Sequence, residues 1–63
     1  MDKLILEFLA GKEEGATITA IQLAVTQDFG MDYKKTEDFL NDMVEEEDLK
    51  YFFFDSCIRY AIA

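Results

Sequence analysis

The stretch Leu49-Lys50-Tyr51-Phe52-Phe53-Phe54-Asp55-Ser56-Cys57-Ile58-Arg59-Tyr60-Ala61-Ile62 is dense in aromatic and β-branched residues and is broken once, at Asp55-Ser56. Such runs favour strands. A two-residue turn at Asp55-Ser56 folds them into a hairpin that pairs Phe54 with Cys57, Phe53 with Ile58, Tyr51 with Tyr60 and Leu49 with Ile62. Asp-Ser is a weaker turn signal than Asn-Gly, so a longer loop is the alternative. Because strand side chains alternate, this register predicts two faces. Leu49, Tyr51, Phe53, Ile58, Tyr60 and Ile62 are expected to face the rest of the chain. Lys50, Phe52, Phe54, Cys57, Arg59 and Ala61 are expected to face away.

Upstream of the hairpin the period changes to that of a helix. Thr36, Phe39, Leu40, Met43 and Val44 recur at three- and four-residue steps, and Asp32 is suited to cap this helix by accepting a backbone N–H. Before it, Ala20, Ile21, Leu23, Ala24 and Val25 form a wide apolar stripe, predicted to start at a Thr19 cap and to close at Phe29-Gly30. Ala16 to Ile18 leans towards strand, and Lys12 to Gly15 reads as a polar loop. A first helix from Asp2 to about Ala10 carries Ile5, Phe8 and Leu9 on one face, with Gly11 positioned to end it.

The order helix, short strand, helix, turn, helix, two-strand hairpin resembles the winged-helix (winged helix-turn-helix) domain. The stretch Thr19–Tyr60 is similar to the pattern of bacterial winged-helix regulators. Leu23-Ala24 resembles the leucine-alanine step of the second helix, Gly30-Met31 the turn, and Leu40, Met43 and Val44 the buried positions of the recognition helix. Glu45-Glu46 followed by Leu49-Lys50 resembles the passage into the wing, and Arg59-Tyr60 falls where the wing's second strand returns. The resemblance implies one α+β domain over residues 1–63, with three helices, a short strand and a C-terminal two-stranded wing. Two departures stand out. Glu47-Asp48 occupies a place where the family often has glycine. Where the family's recognition helix usually offers Ser, Arg, Lys or Gln to the groove, this one sets Glu37, Asp38 and Asp42 beside Lys34 and Lys35.

In the family's terms the groove-facing positions are Tyr33, Lys34, Glu37, Asp38 and Asn41. Phosphate affinity comes mainly from Lys and Arg. Yet the chain carries fourteen acids against six bases, a net charge of −8. Seven of those acids lie from Glu37 to Asp48, without a Lys or Arg among them. DNA binding by the monomer is therefore not expected. Acids at Glu45–Asp48 also oppose the dipole at a helix C-terminus, a local conflict of the kind that can mark a binding surface. The plainer reading is a solvated acidic face that keeps a small protein soluble.

Composition excludes several chemistries. The absence of histidine leaves Cys57 without a base, so it reads as a small strand residue. One cysteine permits neither an internal disulfide nor a zinc staple, and suits a reducing compartment. Glu13-Glu14 and Glu45–Asp48 lack the spaced ligands of a calcium loop. Neither signal peptide nor membrane span is read in the sequence. The expectation is a cytoplasmic non-enzyme that uses no cofactor, no metal and no membrane.

The leading expectation is a module that binds a protein with a basic surface. Its contact residues are Tyr33, Glu37, Asp38, Asn41, Asp42, Glu45 and Glu46, joined by Phe52 and Phe54 on the outer face of the wing. In size and charge it resembles phage or mobile-element inhibitors, including anti-CRISPR and other DNA-mimic proteins. The carboxylates would stand in for phosphates on a host nucleic-acid-binding factor. One rival is a dimeric DNA-binding transcriptional regulator using Lys34, Lys35, Asn41 and Arg59. Another is a structural subunit docking through the wing, which could also support a homodimer. Arg59, opposite Phe52, is positioned to rest on that ring.

Overall fold

A computed structural model describes the whole chain, Met1–Ala63. The C-terminal ribbon forms strands β2 (Leu49–Phe54) and β3 (Cys57–Ile62), with every pairing predicted above in place. Asp55 and Ser56 both take positive φ, 52° and 66°. These are the two left-handed positions of a type I′ turn, whose twist matches that of the strands it joins.

Three helices precede the ribbon: α1 (Asp2–Leu9), α2 (Ile18–Ala24) and α3 (Tyr33–Glu45). Strand β1 (Ala16–Thr17) adds to the sheet by pairing Ala16 with Tyr60 and Thr17 with Arg59, giving the antiparallel order β1-β3-β2. The result is a small winged-helix-like α+β fold. Gly15 sits where β1 meets β3, at φ +65°, and a Cβ there would run into the Tyr60 carbonyl. Only glycine lets the two backbones approach this closely.

Helix α2 departs from the sequence reading at both ends. Thr17, not Thr19, is its cap, with Oγ1 accepting from the Ala20 N–H at 3.2 Å. Pairing with Arg59 holds Thr17 extended, so the helix starts directly after the strand and Ile18 is buried in its first turn. The helix also stops at Ala24 and passes into a 3-10 turn over Thr26–Phe29, closed by Gly30 at φ 73°. The cause is tertiary. Thr26 is fully buried and meets the Thr36 hydroxyl at 2.7 Å, while Thr36 donates to the Asp32 carbonyl at 2.8 Å. Since the single Thr36 hydrogen is committed to Asp32, Thr26 is the donor of the pair.

Helix α3 begins as predicted: Asp32 accepts from the Lys35 N–H at 2.8 Å. It ends in a Schellman motif, with Asp48 N–H bonded to the Met43 carbonyl at 2.9 Å and Glu47 N–H to the Val44 carbonyl at 3.0 Å. Glu47 lies at φ 66°, the left-handed position that glycine most often fills in a Schellman motif. The core joins Ile5 and Leu9 of α1, Ile18 and Ile21 of α2, Leu40 and Met43 of α3, and Leu49 and Tyr60 of the ribbon. Burying each large aliphatic side chain contributes about 1.5–3 kcal/mol. Truncating fully buried Leu40 to alanine would cost about 2–5 kcal/mol.

The ribbon corrects the expectation about its faces. Of the residues expected to face the helices, only Leu49 and Tyr60 are buried, whereas Phe53 is 76% exposed and Tyr51 57%. Phe52 and Phe54, expected to stand free in solvent, are half-buried, and Ala61 beside them is buried. Both faces of the ribbon are apolar in sequence, so alternation sorts the partners without saying which side the body of the domain covers.

Candidate interaction surface

The outward surface of α3 follows from its 3.6-residue period. Thr36, Leu40 and Met43 point into the core, so the opposite side carries Lys34, Asp38, Asn41, Asp42 and Glu45, all exposed. Glu46, the C-cap residue, is exposed as well. Tyr33 and Glu37 flank this surface on the side of the ribbon, where with Thr17, Thr19, Cys57 and Ile58 they border a shallow cleft. Tyr33 is exposed and Glu37 half-buried.

Three of the four side chains assigned to DNA reading, Lys34, Asn41 and Arg59, have other occupations. Lys34 Nζ lies 3.1 Å from Asp38 and 3.6 Å from Glu37. The hydrogen bond and charge of Asp38, and the charge of Glu37, raise its pKa above the usual lysine value. Asn41 accepts the Tyr60 hydroxyl at 2.6 Å. Arg59 is half-buried in β3, with its guanidinium 4.7 Å from the Phe54 ring centre. It thus stacks on the diagonal neighbour and not on Phe52, its predicted partner. Its Nε is buried without a hydrogen-bond partner. Lys35 alone of the proposed DNA-contacting cations is exposed without an ion pair.

The remaining carboxylates are unneutralised. The two ion pairs of Lys34 are the only ones in the protein, so Asp42, Glu45 and Glu46 stand exposed without an ion pair. Across the α3–β2 junction, Glu46 and Asp48 converge with Asp2 of α1, their carboxylate oxygens within 4.8 Å of one another. All three are exposed, and no pattern in the sequence brings Asp2 to the other two.

The sequence reading missed Tyr51, Phe53 and Ile58, the exposed apolar side chains near the ribbon tip. Tyr51 meets Tyr60 edge-on, ring centres 6.1 Å apart, which links this strip to the buried end of the ribbon. Burial raises the Tyr60 phenol above its usual pKa, reinforced by the charge of Glu37 and by the phenols of Tyr33 and Tyr51. The strip therefore adjoins the flank of α3. No helix is long and apolar enough to cross a membrane. No protein-family model, curated protein or solved structure matches the chain.

Proposed function

We propose that this chain is a winged-helix-family protein-binding module whose acidic α3 occupies a basic, nucleic-acid-binding surface of another protein. The observation that carries this reading is the imbalance on the outward face of α3. Its exposed Lys34 is held by Glu37 and Asp38, while Asp42, Glu45 and Glu46 form no ion pair. Such a surface attracts Lys and Arg and repels phosphates.

Along the ridge, Asp38, Asp42 and Glu45 succeed one another at about 6 and 4.5 Å of helical rise. A DNA duplex carries one charge per about 1.7 Å of axis. The ridge is thus thinner in charge than the polymer it would replace, and hydrogen bonds and packing by the flanking Tyr33 must add to the Coulombic attraction. A reducing, cytoplasmic setting suits the single exposed thiol of Cys57. The rival DNA-binding regulator is disfavoured because Lys34, Asn41 and Arg59 are all engaged within the domain.

The test is affinity capture from bacterial lysate by wild type and by an Asp42→Lys/Glu45→Lys/Glu46→Lys variant. Lysines at a helix C-terminus favour the helix dipole, so the variant keeps its fold. Wild type is expected to retain nucleic-acid-binding proteins that added duplex DNA displaces, and the variant to lose them. Equal capture by both proteins would overturn the reading.

A further inference from the structure

In the sheet order β1-β3-β2, strand β2 is an edge. Its parity can be assigned. Ala63 N–H bonds to the Asp48 carbonyl, and a two-residue hairpin closes on a hydrogen-bonded pair, here Phe54 and Cys57. Asp48, Lys50, Phe52 and Phe54 therefore bond to the neighbouring strand, while Tyr51 and Phe53 turn their N–H and C=O groups to the open edge and Leu49, of the same parity, is buried. No hydrogen bond from a turn, loop or cap reaches the backbone of Leu49–Phe54. Tyr51 and Phe53, which offer these free backbone groups, also expose their aromatic side chains.

Natural edge strands are usually blunted by proline, a bulge, several charges or short length. This one is six residues long, pairs regularly throughout, and carries Lys50 as its only charge. We propose that the edge is completed by β2 of a second copy of this chain, running antiparallel about a two-fold axis at Phe52.

In that register Tyr51 lies opposite the partner's Phe53 and Phe53 opposite the partner's Tyr51, both as hydrogen-bonded pairs that use the free backbone groups. Phe52 meets its own copy, Lys50 meets the partner's Phe54, and no like charges oppose one another. The pairing is self-complementary, as a two-fold interface requires, and puts four aromatic rings on one face as cross-strand neighbours. Asp48 and Asp55 flank the strand, and Asp55 falls opposite the partner's uncharged Leu49. The other acids lie on the helices and loops, so their repulsion acts over a distance that salt screens. One strand edge with two aromatics a side belongs to the small class of interfaces, below about 1,200 Å², and specifies a weak dimer. This inference does not depend on the function proposed for α3.

Sedimentation of the intact chain from micromolar to millimolar concentration tests it, with Phe53→Lys as the edge-blocked variant. Phe53 is mostly exposed, so that variant should keep the wild-type circular dichroism spectrum. Wild type is expected to dimerise with rising concentration and more tightly in added salt, the opposite of the salt response expected for a basic partner on α3. Phe53→Lys is expected to weaken association at least tenfold. In a Cys57→Ala background, oxidation should yield a covalent dimer from Phe52→Cys, where the closest cross-strand pair has Cα atoms about 4.5 Å apart, and not from Tyr51→Cys. A monomer at every concentration would overturn the proposal and leave the edge to a strand of another protein. Cross-linking through Tyr51→Cys instead of Phe52→Cys would overturn it as well.

Discussion

Tyr60 donates its hydroxyl hydrogen to Asn41 Oδ1 across 2.6 Å, tying the last strand of the sheet to the middle of α3. Tyr60 is only 3% exposed, although its hydroxyl reaches the exposed Asn41 at the domain surface. The bond sets the helix against the ribbon and removes Asn41 from the side chains free to read a base.

Breaking this bond should be felt in stability. Tyr60→Phe and Asn41→Ala are each expected to cost about 0.5–1.5 kcal/mol in urea denaturation. The double variant should cost less than the sum of the two, because the residues act as one pair. Strict additivity would show that the hydroxyl contributes nothing through Asn41.

Alkaline pH should remove part of what Tyr60 contributes. Its phenol is raised in the folded state, chiefly by burial, whereas an unfolded tyrosine ionises near pH 10. The contribution is therefore complete below about pH 10 and is lost as pH rises through the folded value, at up to about 1.4 kcal/mol per pH unit. Wild type should lose stability relative to Tyr60→Phe over that range, as measured by denaturation at a series of pH values. Parallel curves would refute the assignment.

The buried hydroxyl pair Thr26–Thr36 predicts non-additive substitutions. Thr36→Val leaves the Thr26 donor buried without a partner, at a cost of about 1–3 kcal/mol. Adding Thr26→Val removes the orphaned group and should recover part of that loss, because valine keeps nearly the same shape. A double variant less stable than Thr36→Val alone would contradict the donor assignment.

Glu47 predicts a gain. A non-glycine residue in the left-handed region costs about 1–2 kcal/mol, and Glu47 stands there at φ 66°. Glu47→Gly should raise stability by about 1 kcal/mol, with thermal melting as the readout. An unchanged or lower melting temperature would mean that the Glu47 side chain contributes elsewhere in the fold.

How legible the molecule was in its sequence depends on the range of the forces involved. The hairpin register, the Asp32 cap and the core positions of α3 follow from neighbours within a few residues, and each was readable. The boundaries of α2 were not. Thr17 is the cap because β1 pairs with Arg59, and the helix ends early where Thr26 meets Thr36; both partners lie outside the local stretch. The candidate site divides in the same way. The acidic run on α3 was legible as charge, whereas the engagement of Lys34, Asn41 and Arg59 could be seen only once side chains had neighbours.

By itself, the sequence determined where the chain turns, which residues share a face and how strongly α3 is charged, because side-chain period, turn chemistry and formal charge are local properties. Tertiary structure alone decided which face of the ribbon is covered. It exposes Tyr51 and Phe53, half-buries Phe52 and Phe54, and leaves β2 as an open edge. The physical reason is that alternation on a ribbon apolar on both sides is symmetric, and only packing against the helices and β1 breaks that symmetry.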